Sequence, residues 1–189
     1  MEKKHLDLKV ATNYLIQLFY QTNRMYSCTR IKIGKILAII SFKYARQGII
    51  LFDESVFKYD NSGSVINGLA MLVDRDAYLS YEYFDIKEIA DIPVKVDFLK
   101  QREIDVFIPE KYKKNDGIHD DVKECIKEVF KYFGGYSSQL IGYFMNDLVC
   151  LPGVIDIDGS VDLEKIYKLP DCVVKNIKNN KLINYVFYN

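Results

Sequence analysis

Tryptophan is absent from this 189-residue chain, and histidine occurs only twice, as His5 and His119. With so few imidazoles, a histidine-built metal site has almost nothing to be assembled from. Cysteine is nearly as sparse. Cys28, Cys125, Cys150 and Cys172 are widely scattered with no C-x-x-C pair, so they read as small core residues rather than zinc ligands or a disulfide framework. The ten glycines form neither G-x-G-x-x-G nor G-x-x-x-x-G-K-[ST], which removes the common nucleotide cradles. Net charge is also missing: Lys+Arg and Asp+Glu stand at 26 each, so the whole molecule exerts no field that would gather nucleic acid or an anionic membrane. Apolar runs such as Ile36 to Ile40 are far too short to span a bilayer, and the charged start Met1-Glu2-Lys3-Lys4-His5-Leu6-Asp7 lacks the apolar core of a signal peptide. These absences predict a cytoplasmic protein with no cofactor and no metal.

What is present is ordinary globular composition, 49% apolar and 28% charged, enough for one core but not two. The expected class is α+β, mainly α-helical, with a helical core and a small sheet from the middle third. Residues 1–150 are expected to form the single helical domain, with 151–189 an extension packed on it.

The apolar positions Val10, Ala11, Tyr14, Leu15, Leu18 and Phe19 recur at helical spacing between Leu8 and Asn23. A second helix is bracketed by Thr29, which can cap its start, and Gly48, which can end it. Ile33, Ile36, Leu37, Ile40 and Tyr44 form its apolar stripe, and Lys32, Lys35, Lys43 and Arg46 lie along a neighbouring arc with no acid among them. A short buried strand is expected over Ile49 to Phe52 and a short helix over Val65 to Val73. Between Tyr78 and Tyr112, alternation at Tyr81, Tyr83, Val94, Val96, Phe98, Ile104, Val106 and Ile108 predicts two or three short strands. A polar loop follows over Lys111 to Gly117. Ile118, Val122, Cys125, Ile126, Val129, Phe130 and Phe133 then predict an amphipathic helix stopped at Gly134-Gly135, and Ser137 can cap the next. Beyond Pro152-Gly153 the tail reads as loose, with one helical turn over Leu163 to Tyr167.

Three constellations invite a chemical reading. His119, with Asp116, Asp120 and Asp121 nearby, could be a general base oriented by a carboxylate and serving a cysteine nucleophile; more simply, the acids favour a helix N-terminus and His119 is exposed beside them. Asp156-Ile157-Asp158-Gly159-Ser160-Val161-Asp162 spaces oxygens like a calcium loop. It lacks Gly at the sixth position (Val161) and Glu at the twelfth (Tyr167), so an acidic turn is expected instead. The arc Lys32, Lys35, Lys43 and Arg46 could meet phosphates or an acidic protein surface. The alternative is that their stems cover the apolar stripe and their heads stay in water.

The order of the pieces carries a resemblance. Val10-Ala11-x-x-Tyr14-Leu15 precedes Ile33-x-x-Ile36-Leu37, which runs to Tyr44-Ala45-x-x-Gly48. Leu51-Phe52-Asp53-Glu54 and the aromatic-led Phe57-Lys58-Tyr59 follow, and much later comes Gly134-Gly135-Tyr136-Ser137-Ser138-Gln139-Leu140. From about Lys9 to Leu148 the chain resembles the Panacea antitoxin domain, formerly a phage-associated domain of unknown function. The family pattern has Trp followed by Lys-Tyr-Gly-Pro-Val. Here Phe57 stands for the Trp, Lys58-Tyr59 match, and Asp60-Asn61-Ser62-Gly63 replaces the rigid Gly-Pro turn. The resemblance implies a mainly helical, non-enzymatic antitoxin that neutralises a co-encoded protein toxin by direct binding. It makes Phe57, Lys58 and Tyr59, with the adjoining Lys32, Lys35, Lys43 and Arg46, the candidate partner-facing or scaffold-critical residues; the alternative for Phe57 is that it fills the core beneath the second helix. The alternatives from the residues are a nucleic-acid-binding regulator using the basic arc, or a phage or mobile-element accessory protein.

Overall fold

The computed structural model describes residues 1–24, 28–52, 59, 86–97, 100–109, 118–156, 159–175, 177 and 180–188. The expected helix at 65–73 and loop at 111–117 lie outside the described residues, as do Phe57 and Lys58. The protein is α+β and mainly helical. Its described helices are α1 (Leu8–Gln21), α2 (Arg30–Arg46), α3 (Asp120–Phe133), α4 (Ser138–Val149), α5 (Leu163–Lys168), α6 (Asp171–Lys175) and α7 (Lys181–Tyr188).

α2 is the axis of the molecule. Thr29 is its N-cap, with the hydroxyl accepting from the Lys32 amide at 3.3 Å. Gly48, at φ 79°, takes the left-handed turn after it, which a side chain would resist. From Lys32 to Ala45 every residue is buried. The stripe expected from Ile33, Ile36, Leu37, Ile40 and Tyr44 is therefore only part of the buried surface; Ala38, Ile39 and Phe42 on the other side are fully buried too. A helix without a wet face must be surrounded, and α2 packs on α1, α3, α4, α5 and α7. Each Ile or Leu so buried contributes roughly 1.5–3 kcal/mol.

Two pairs of strands complete the described fold. β1 (Glu2–Lys3) runs parallel to β2 (Ile49–Ile50), with Glu2 opposite Ile49 and Lys3 opposite Ile50. β2 is the short strand expected after α2, and β1 gave no sequence signal. In the middle third, β3 (Ile86–Asp97) and β4 (Lys100–Pro109) form one long antiparallel pair, with Ala90 opposite Val106 and Ile92 opposite Ile104. β4 lies against α1.

The α3–α4 corner follows the sequence closely. A Cβ on Gly134 would sit 2.4 Å from the Phe130 carbonyl oxygen, so the chain turns there only because the residue is glycine. Ser137 then caps α4 by accepting from the Leu140 amide. The tail is more ordered than its sequence predicts. Asp162 caps α5 by accepting from the Lys165 amide. Asn180 accepts from the Leu182 and Ile183 amides at the head of α7 while donating to the Phe144 carbonyl and to Asp147 on α4. Leu182, Ile183, Tyr185 and Val186 join the same hydrophobic core as α1 to α4.

Candidate functional site

The basic arc of α2 points into the protein rather than into water. Lys32, Lys35 and Lys43 are only 3%, 4% and 9% exposed. The Lys35 ammonium donates to the Ser138 carbonyl at the start of α4, 2.8 Å away. Lys43 donates to Glu128 on α3 at 2.8 Å and to the Tyr185 hydroxyl on α7 at 3.2 Å, and lies 4.4 Å from the centre of the Tyr185 ring. Arg46 reaches the tail: its guanidinium donates to the carbonyls of Tyr167 and Leu169 and to Asp171, and stacks 4.9 Å from the Phe187 ring. The expectation of wetted heads is thus corrected. An axial helix has no solvent face, so its cations find acceptors on the helices packed around it.

Lys32 is different. Its ammonium lies 5.4 Å from the Phe19 ring centre, and no hydrogen-bond acceptor or carboxylate meets it among the described residues. Burial, and secondarily the charge of Arg24, lower its pKa to about 8.

The other sequence candidates disperse. Tyr59 is half-buried against the core, its amide donating to the Gly159 carbonyl at 2.7 Å, so it joins the 156–160 turn rather than the α2 arc. That turn is closed by the Asp156 amide on the Ser160 carbonyl and by a bridge between Ile155 and Val161. His119 is exposed at the N-cap of α3 without a side-chain capping bond. The cysteines are all free, and Cys150 and Cys172 are exposed, contrary to the expectation of four core residues. No group of three or more potential metal ligands occurs among the described residues.

An open groove of about 540 Å³ runs between α2 and α3, lined by Lys4, Lys43, Tyr44, Asp121, Cys125 and Glu128 among others. Two ion pairs cross it, Lys4 with Asp121 and Lys43 with Glu128, each at 2.8 Å, while Glu124 on its lining pairs with Lys127. The hydrogen bond from Lys43 holds the Glu128 carboxyl below its usual range, whereas burial pushes the Cys125 thiol up to about 11. Such a thiol stays protonated at neutral pH and is a poor nucleophile.

The many tyrosines, more than a core of this size needs, favour a protein-contact surface, and α3, α4 and α7 build a ring surface that the sequence does not localise. Tyr185, Tyr132, Phe133, Tyr136, Phe144 and Tyr143 follow one another with centroid separations between 5.0 and 6.4 Å. Tyr132 and Tyr143 are 51% and 65% exposed, and Leu140 is also exposed. Lys181 lies among them, donating to the Tyr136 hydroxyl at 2.7 Å. Which of the tyrosines meet is decided by the α3–α4 corner and by the docking of α7 beside it.

The chain matches no family model, no curated protein and no solved structure. The likeness to the Panacea domain therefore rests on the residue pattern given above. No described helix is long and apolar enough to cross a membrane.

Proposed function

We propose that this chain is an antitoxin-like protein-binding domain that neutralises a co-encoded toxin, and that the toxin docks on the tyrosine surface of α3, α4 and α7. The observation that carries the reading is the exposure of Tyr132 and Tyr143 on a stack whose inner members, Phe133 and Tyr185, are fixed in the core. Rings held in this way offer large contact area at little cost in side-chain entropy, as interface anchors do. Lys181 in their midst favours a partner surface carrying carboxylates. The motif order supports the antitoxin class. The nucleic-acid alternative leaned on Lys32, Lys35, Lys43 and Arg46, and with Lys35, Lys43 and Arg46 bonded to internal acceptors it has little phosphate-facing surface on α2.

Co-expression with the neighbouring reading frame tests both parts. The intact chain is expected to restore growth against a toxic neighbour, and a Tyr132→Ala/Tyr143→Ala double variant to lose that rescue while remaining folded by circular dichroism. Unrelieved toxicity with the intact chain defeats the antitoxin reading. Equal rescue by the double variant removes the tyrosine surface from it.

A further inference from the structure

Lys32 is only 3% exposed, its ammonium has a ring below it, and no acceptor meets that ammonium among the described residues. An ammonium enclosed to that extent loses part of its hydration, a cost that a counter-charge offsets. Arg24, after the end of α1, stands close by. Its guanidinium lies 5.8 Å from the Phe130 ring centre, and Phe130 meets Phe19 edge-to-face at 4.8 Å, so the two cations rest on the two rings of one aromatic pair. Arg24 is exposed and marks the side open to solvent. It too has no carboxylate partner among the described residues.

We propose that Lys32 and Arg24, seated on the Phe19–Phe130 pair, form a binding site for an oxyanion. The planar guanidinium supplies a fork of parallel donors and the ammonium a point charge, and two phenyl rings exclude water on the inner side. A phosphate group balances both positive charges; a carboxylate balances one. Burial is the main cause of the lowered Lys32 pKa, and the nearby charge of Arg24 adds to it, which agrees with two cations set close together. The inference is independent of the toxin-binding surface, which uses neither residue.

The test titrates inorganic phosphate into the full chain at pH 7, with ionic strength held constant by sodium chloride, and follows Tm beside Lys32→Met and Arg24→Gln. Phosphate about 100-fold above its Kd is expected to raise Tm by roughly 5 °C or more over the chloride control, and both variants to lose that increment. Arg24→Gln changes an exposed side chain, so it decides the matter even if Lys32→Met alters stability on its own. Acetate in place of phosphate separates the two sources of the same chemistry: a response to phosphate alone assigns a phosphate group, and an equal response assigns a carboxylate. No response to either anion, or an increment that survives in both variants, overturns the site.

Discussion

The two ends of α2 handle charge in opposite ways. Toward its C-terminus, Lys43 and Arg46 are met by Glu128, Tyr185, Asp171 and two tail carbonyls, so each cation ties a surrounding helix to the axis. Near its N-terminus, Lys32 is as little exposed, and among the described residues its ammonium meets a phenyl ring and no acceptor. A buried cation with acceptors is a tether, and one without them is a burden on stability that a ligand can relieve.

The largest expected effect comes from cutting the tether at the C-terminal end. Arg46→Ala removes three hydrogen bonds and the stack on Phe187, and should lower stability by about 3 kcal/mol in urea denaturation. Arg46→Lys should recover only part of this, because an ammonium cannot span the Tyr167 and Leu169 carbonyls as the fork does. Lys43→Met should cost about 2 kcal/mol, since Tyr185 loses both its cation and a hydrogen-bond partner. At the other end the sign reverses. Lys32→Met should raise stability by roughly 1–2 kcal/mol at pH 7, the relief of desolvation less the lost ring contact.

That gain carries its own pH test. The folded pKa of Lys32 lies below its ordinary value of 10.5, at about 8. Between those values the unfolded chain holds a proton that the folded chain has released, so the wild type gains stability as pH rises from about 8 toward 10.5. The advantage of Lys32→Met should shrink over that window; an advantage constant with pH would refute the assignment. Asp171→Asn should be the smallest change, within about 0.5 kcal/mol, because its carboxylate is exposed and Arg46 keeps two other acceptors. A larger loss there would mean that the ion pair, not the carbonyl fork, holds the tail.

Much of the helical frame was legible because caps and breakers act locally. Thr29, Gly48, Gly134 and Ser137 each do what their chemistry predicts. The standing of α2 as an axis was not read, although one signal was available: seven uncharged residues from Ile36 to Phe42 exceed what a one-sided stripe requires. The fate of its cations was beyond any local rule. Their acceptors come from Ser138, Glu128 and Leu169, 85 to 123 residues away, and sequence spacing says nothing about such meetings. α7 was missed for a related reason. Its cap, Asn180, sits in a run of Lys and Asn that reads as loop, and its apolar face is only two turns long. The ring surface depends on α7 docking beside α3 and α4, so it was hidden with it.

An axis closed from all sides also constrains how the molecule is made. During synthesis α2 emerges long before α3, α4, α5 and α7, and until the last of these arrives its isoleucines and its lysines both lack their native neighbours. The ribosome must therefore deliver nearly the whole polypeptide before cooperative folding begins, leaving the nascent segment around Ile36 to Phe42 in need of chaperone cover in the meantime.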